Sequence, residues 1–333
     1  YLSLHCRRAE GGGMAKGGQT AADTGRLDDA ARAGWLYYVA GNTQDEIARK
    51  LGVSRQSAQR LVSLAVSERL VKVRLDHPIA RCMELGQALT EKYNLTSCEI
   101  VPSDPDAPAL LTGIAIAGAT SMERWLKEPD PKIIGIGTGR ALRACIEYLP
   151  QMCCPQHRIV SRLGNMMSDG SATPYNVVIR MAERVGARHY PMPLPVFANS
   201  VEELRILHNQ EPVRNSLDLC ARADVTYVGI GQMDASAPLM LDGFMTPDEV
   251  RQLRDNNVVG EITSWVYDAN GKVLAGGINE RVASAPLQPA DDRPMIGIGS
   301  GEAKVPAFLG ALRGRLINGV ITNESTAALI LAA

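Results

Sequence analysis

Three short apolar runs in this chain end alike, on a Gly-Ile-Gly unit: Gly135-Ile136-Gly137-Thr138-Gly139, Gly229-Ile230-Gly231-Gln232-Met233 and Gly297-Ile298-Gly299-Ser300-Gly301. Each reads as a buried strand stopped by glycine. Further strand-like runs lie at 98–101, 157–163, 188–191, 260–267 and 319–322, with a hairpin-type turn at 268–271. Helical patterns fall between them at 82–93, 109–127, 140–148, 174–185, 201–207, 212–222, from 246 onward and at 305–313. The 109–127 segment is mostly apolar and reads either as a core helix or as an assembly surface. Such alternation predicts an α/β fold with a mostly parallel, doubly wound sheet.

In open α/β sheets ligands bind beyond the carboxyl ends of the strands. Glycine lets backbone N–H groups approach an anion, and a helix start adds partial positive charge. The first loop runs into the 140–148 helix, so Thr138, Gly139 and Arg140 form a candidate phosphate cradle. The third leads through Glu302-Ala303-Lys304 and brings a cation beside Gly299. The bland alternative is a set of tight turns without a ligand. A dinucleotide fingerprint fits poorly, because Arg140 stands where G-x-G-x-x-G requires glycine. No P-loop pattern is present.

The first 80 residues read differently. A helical stripe at 27–40 carries Leu27, Ala30, Ala31, Trp35 and Tyr38 and stops at Gly41-Asn42. Thr43 with Glu46 three residues on is a capping box for a short helix whose apolar face is Ile47, Ala48 and Leu51. Gly52 ends it, Val53 is expected to plug the core, and Ser54 caps a third helix to about Arg69, with Ala58, Leu61, Val62, Ala65 and Leu70 inward. Two capped helices around a glycine turn make a helix-turn-helix. Its last helix opens with Arg55, Gln56, Ser57, Gln59 and Arg60, side chains suited to base edges and phosphates. An ordinary helical bundle with a solvated polar face is the competing interpretation. Residues 71–74 alternate as a short wing strand.

Composition supports this division. Residues 26–81 hold 10 Lys/Arg against 6 Asp/Glu, whereas 82–333 hold 22 against 28. Only the front module is therefore expected to meet a polyanion. The chain of 333 residues is 45% hydrophobic and 21% charged, which argues against wholesale disorder. No apolar run reaches the ~18 residues of a membrane span. Seven cysteines, an odd number without C-x-x-C spacing, argue against a disulfide framework or zinc site and suit a reducing cytoplasm. The five histidines are scattered and read as structural or exposed; no metal or cofactor is expected. Residues 1–25 are Gly-rich, lack a signal-peptide core and read as a disordered tail, with Met14 a candidate start. The expected domains are thus a tail to 25, a DNA-binding module at 26–78 and an effector and oligomerisation domain at 79–333.

The helix-turn-helix from 43 to 69, the 135–142 loop, the 225–231 strand and loop, and the 297–304 loop occur in the order seen in SorC/DeoR-type sugar-binding transcriptional regulators, which the chain resembles over about residues 27–330. The resemblance implies a winged-helix-like DNA-binding domain joined to a domain similar to sugar-phosphate isomerases and deaminases. It also implies homo-oligomers, dimers or tetramers, that bind double-stranded operator DNA and respond to a phosphorylated sugar or a polyol. On that basis Thr43, Ser54 and the residues just named on the third helix face DNA. Effector contacts fall on Gly137, Thr138, Gly139, Arg140, Asn165, Ser168, Asp169, Gly231, Gln232, Glu261, Gly299 and Lys304. Arg140 departs from the small hydroxyl residue common there, and either strengthens phosphate binding or marks a polyol-type effector. Two alternatives compete with the regulator: an isomerase or deaminase using Glu302, Lys304 or Glu261 for proton transfer, and an architectural DNA-binding protein whose body only oligomerises.

Overall fold

The computed structural model describes residues 21–333 apart from 69, 72–78, 105, 108, 109, 168 and 291. It comprises two compact units, one up to His77 and one from Pro78 onward. The first contains α1 (Ala21–Tyr38), α2 (Gln44–Leu51) and α3 (Arg55–Ser67). Thr43 and Glu46 close the expected capping box: the Thr43 N–H donates to the Glu46 carboxylate at 2.8 Å, and the Glu46 N–H to the Thr43 hydroxyl at 3.3 Å. Gly52 takes a left-handed conformation at the end of α2, and Ser54 caps α3 by accepting the Ser57 N–H at 3.1 Å. Ala33, Ile47, Ala48, Ala58 and Val62 form the core.

Several local expectations are corrected here. Helix α1 begins at Ala21, so residues 21–25 belong to a helix and not to the tail. Its buried stripe is Ala30, Ala33 and Gly34, whereas Trp35 and Tyr38 are exposed. The reason is steric: a Cβ at Gly34 would stand 2.8 Å from that of Ala65, and only small residues permit so close a seam. Val53 and Leu70 are also exposed. The turn after α2 is closed by backbone, through the Val53 N–H to the Ala48 carbonyl, without burying the valine. Residues 72–74 of the expected wing, and the tail to residue 20, lie outside the described residues.

The second unit alternates as the glycine-terminated runs predict. Its helices are α4 (Ala80–Tyr93), α5 (Thr112–Leu126), α6 (Arg140–Tyr148), α7 (Val177–Val185), α8 (Val201–His208), α9 (Glu211–Ala221), α10 (Pro238–Leu241), α11 (Pro247–Asp255), α12 (Val305–Arg313) and α13 (Glu324–Ala332). Its strands are β1 (Ser97–Val101), β2 (Ile133–Ile136), β3 (Arg158–Met166), β4 (Arg188–Pro195), β5 (Val225–Gly229), β6 (Gly231–Gln232), β7 (Val258–Ile262), β8 (Trp265–Asp268), β9 (Met295–Ile298) and β10 (Gly319–Asn323). Seven form one parallel sheet in the order β1-β10-β9-β5-β2-β3-β4.

Alternate residues of the central strands serve opposite faces, as a doubly wound sheet requires. Ile134, Ile136, Val225 and Tyr227 join the core that includes Ile114 and Met122 of α5 and Leu142 of α6. Val228 and Val320 join the core built with Phe308 of α12 and Ile330 of α13. Helix α5 is accordingly a core helix, drawn so close to α6 that a Cβ at Gly118 would collide with the Cys145 sulfur. His157 is buried, its Nδ1 accepting the Lys132 N–H at 3.1 Å, which is a structural role.

One expected element is wrong. Residues 260–267 are not a single strand: β7 and β8 form an antiparallel hairpin that joins β6 in a small second sheet. The chain reverses at Thr263 and Ser264, both left-handed with φ of 50° and 72°. Such a turn ordinarily selects Asn-Gly, so Thr-Ser carries no turn signal. It is held by the Ser264 N–H, which donates to the Glu261 carboxylate at 2.8 Å.

Candidate functional site

Strands β9, β5 and β2 are neighbours, so the three glycine loops converge beyond their carboxyl ends. The winding also reverses here: β2 crosses over to β3 on one side, and β5 to β9 on the other. Such switch points are where α/β sheets open a crevice. The crevice is a cavity of about 200 Å³. Its lining mixes polar side chains with apolar ones that include Leu111, Leu163 and Ile298.

Glycine conformation shapes both outer loops. Gly139 and Gly301 each take φ of 116°, which a Cβ would strain. Gly139 immediately precedes α6 and offers no side-chain cap, so the first N–H groups of that helix are left to the cavity. The Gly137 N–H donates to the Tyr227 carbonyl at 2.8 Å and ties the first loop to β5.

Two polar clusters face the cavity. In the first, Arg140 pairs with Asp242 at 2.7 Å. The Tyr175 hydroxyl donates to the same carboxylate, 2.9 Å from each oxygen, and the Arg140 guanidinium lies 5.9 Å from the Tyr175 ring centre. Burial, reinforced by Asp242, pushes the Tyr175 phenol up to about 12, so it remains a donor. In the second, Lys304 Nζ donates to the Ile230 carbonyl at 2.6 Å and to Gln232 Oε1 at 2.7 Å. Burial pulls the Lys304 ammonium down to about 8, against the upward influence of Glu261. Glu261 is itself raised by burial, although the Ser264 N–H and Lys304 work to lower it. Two buried hydroxyls of the lining, on Thr263 and Ser300, have no hydrogen-bond partner.

Of the effector residues expected from sequence, Thr138, Gly139, Arg140, Gly231, Gln232, Glu261, Gly299 and Lys304 line this one cavity. Gly137 stands behind it, where a Cβ would lie 3.3 Å from Thr263 Cγ2. Asn165 and Asp169 do not reach it. Strand β3 runs on through register shifts against β4, and its loop closes on itself: Asp169 accepts from the Ser171 N–H at 2.9 Å and hydroxyl at 2.6 Å. Ser168 lies outside the described residues. The sequence reading missed Tyr175, Asp242, Phe244 and the Thr263-Ser264 turn. Asp242-Gly243 reads locally as a turn, and nothing in sequence joins it to Arg140.

In the first unit Arg55, Gln56, Gln59 and Arg60 are exposed along the start of α3. Arg55 makes a loose pair with Asp45 at 3.5 Å. Thr43, Ser54 and Ser57 are different: their hydroxyls are engaged in capping, Ser54 to Ser57 at 2.9 Å and Thr43 to Glu46 at 2.9 Å. Among the described residues no His, Cys, Asp or Glu group could hold a metal ion, and no helix is long and apolar enough to cross a membrane.

A capped helix-turn-helix and a separate α/β unit with a charged cavity at its switch point define a class, the transcriptional regulator with a ligand-binding domain. Residues 77–332 match the family model Sugar-bind, a sugar-binding domain. The chain is 36% identical over 298 residues to the erythritol catabolism regulatory protein EryD of Brucella abortus, spanning 90% of this chain and 94% of that protein. It is 31% identical over 320 residues to the sorbitol operon regulator of Klebsiella pneumoniae, spanning 89% and 95%. The crystal structure of full-length SorC, the sorbitol operon regulator from Klebsiella pneumoniae, matches with a TM-score of 0.66 at 27% identity, covering 92% of this chain and 99% of that one. The chain belongs to the SorC family of sugar-binding transcriptional regulators. These relatives are regulators, not enzymes, and the isomerase or deaminase alternative is set aside.

Proposed function

We propose that this protein controls a carbohydrate or polyol catabolic operon in the cytoplasm. It binds double-stranded operator DNA as a homo-oligomer through the exposed start of α3, and takes a small polyhydroxylated effector, a phosphorylated sugar or a polyol, in the cavity at the switch point. The observation that carries this reading is the convergence of three glycine loops, an uncapped helix start and two polar clusters on one small cavity. The names of the relatives, which concern erythritol catabolism and a sorbitol operon, favour the same effector chemistry.

Effector binding works by population shift. A ligand that fits one subunit arrangement better draws the ensemble toward it and changes the spacing of paired recognition helices. A ligand with equal affinity for both arrangements shifts nothing. The test is an electrophoretic mobility shift with genomic fragments selected by the purified protein, repeated with a panel of polyols and sugar phosphates. A change in DNA affinity with one panel member supports the reading. Binding to DNA that no member alters leaves an architectural protein, and absence of DNA binding removes the regulator.

A further inference from the structure

We infer that the effector is an uncharged, multiply hydroxylated short-chain molecule, a polyol or free sugar, and that the cavity discriminates against its phosphate ester. This rests on the proposed effector role of the cavity and narrows it.

Each cation of the described lining already has its own partner. Arg140, the first residue of α6, is paired with Asp242 at 2.7 Å, and the Tyr175 hydroxyl holds that carboxylate in place. Lys304 is taken up by the Ile230 carbonyl and Gln232, with Glu261 acting on it electrostatically. At their formal charges Arg140 and Lys304 balance Asp242 and Glu261 in the lining. Transfer of a proton between Glu261 and Lys304 does not change that sum. A phosphate monoester brings roughly −1.5 to −2 charges at neutral pH. At the start of α6 it would find Asp242 already on Arg140, with Glu261 in the same lining. Like charges in a half-buried site repel.

A hydroxyl meets the opposite situation. Asp242 and Glu261 are acceptors that an O–H satisfies and an ionised phosphate oxygen cannot. The unpartnered hydroxyls of Thr263 and Ser300 can each donate or accept. The uncapped N–H groups of α6 favour an anion but also donate to a neutral hydroxyl oxygen. Leu111, Leu163 and Ile298 offer apolar wall to the C–H surface of a carbon chain. The volume of about 200 Å³ falls below the roughly 300–1,000 Å³ of drug-sized pockets, which suits a short chain.

The experiment is calorimetric titration of the full-length protein with three- to six-carbon polyols and free sugars and, pairwise, their phosphate monoesters, for the wild type and Asp242→Asn. The wild type is expected to bind at least one free compound at least tenfold more tightly than its ester. Asp242→Asn, which frees Arg140 while keeping the shape of the side chain, is expected to narrow or reverse that ratio. Tighter wild-type binding of the ester overturns the inference, and so does a ratio that Asp242→Asn leaves unchanged. Should the variant not fold, the wild-type ratio decides alone. An ester that binds preferentially and alters DNA affinity leaves the regulator reading intact while this inference falls; binding of no panel member overturns both.

Discussion

Gly231 and Glu261 face each other across the β6–β7 pair, and the Glu261 carboxylate occupies the space that a Cβ on residue 231 would need. The glycine is therefore required by the carboxylate and not by backbone conformation, since its φ is not left-handed. Gly231→Ala is expected to push Glu261 off the Ser264 N–H and cost about 1–3 kcal/mol of stability, the usual range for overpacking. Thermal melts would show the loss, and the stabilisation produced by effector would shrink with it. A variant that melts and binds like the wild type would show that Glu261 has another position of equal energy.

Lys304 gives the fold a pH dependence of defined sign. Its ammonium loses its proton near pH 8 in the folded chain but at its ordinary value of 10.5 when exposed. Between these values the unfolded chain binds more protons, so stability rises with pH through that window. The contribution is on the order of 3 kcal/mol, and below pH 8 the buried charge is at its most costly. Chemical denaturation of the wild type and Lys304→Met from pH 7 to 10.5 would reveal it. The wild type should gain on the variant as pH rises, and parallel curves would refute the assignment.

The parts of this architecture readable from sequence are those where one physical signal dominates. Glycine followed by a helical stretch places α6 and α12 at the expected boundaries. The capping box at Thr43 is local chemistry and forms as expected. The β7–β8 reversal was unreadable because its turn residues are held by Glu261 against their own preference. The Arg140–Asp242–Tyr175 cluster draws on three segments that only the folded sheet brings together. Trp35 and Tyr38 misled because helical periodicity alone does not say that the α1 seam is too tight for aromatics.

The DNA-binding assignment makes Arg55 a decisive residue. It is exposed, and its pairing with Asp45 is a loose surface contact, so Arg55→Ala should leave folding nearly unchanged. Operator affinity should fall by roughly 1–3 kcal/mol if the guanidinium reads a base bidentately. Titration by mobility shift at fixed salt measures this. Unaltered affinity would remove Arg55 from the reading set.

The α1–α3 seam offers a way to separate the two units. Gly34→Val would drive side-chain atoms into Ala65 and Val71, with an expected cost of about 1–3 kcal/mol confined to the helix-turn-helix. Operator binding should weaken while effector binding, measured by calorimetry, is retained in the α/β unit. Loss of both activities together would mean that the units do not fold independently.

The Thr263-Ser264 reversal is the place where the fold carries strain at the cavity. Two consecutive non-glycine residues in left-handed backbone, one of them β-branched, are expensive, and such outliers persist where surrounding structure compels them. Ser264→Gly keeps the N–H that Glu261 accepts and removes the Cβ penalty, so it should raise stability by about 1 kcal/mol. Thr263→Gly also relieves a left-handed residue, but it deletes the unpartnered hydroxyl from the cavity lining. Ser264 lines the same cavity, so each substitution removes a lining hydroxyl, but Thr263→Gly also deletes a buried side chain and should lower effector affinity the more. Wild-type affinity of Thr263→Gly in calorimetry would show that the Thr263 hydroxyl does not contact the effector.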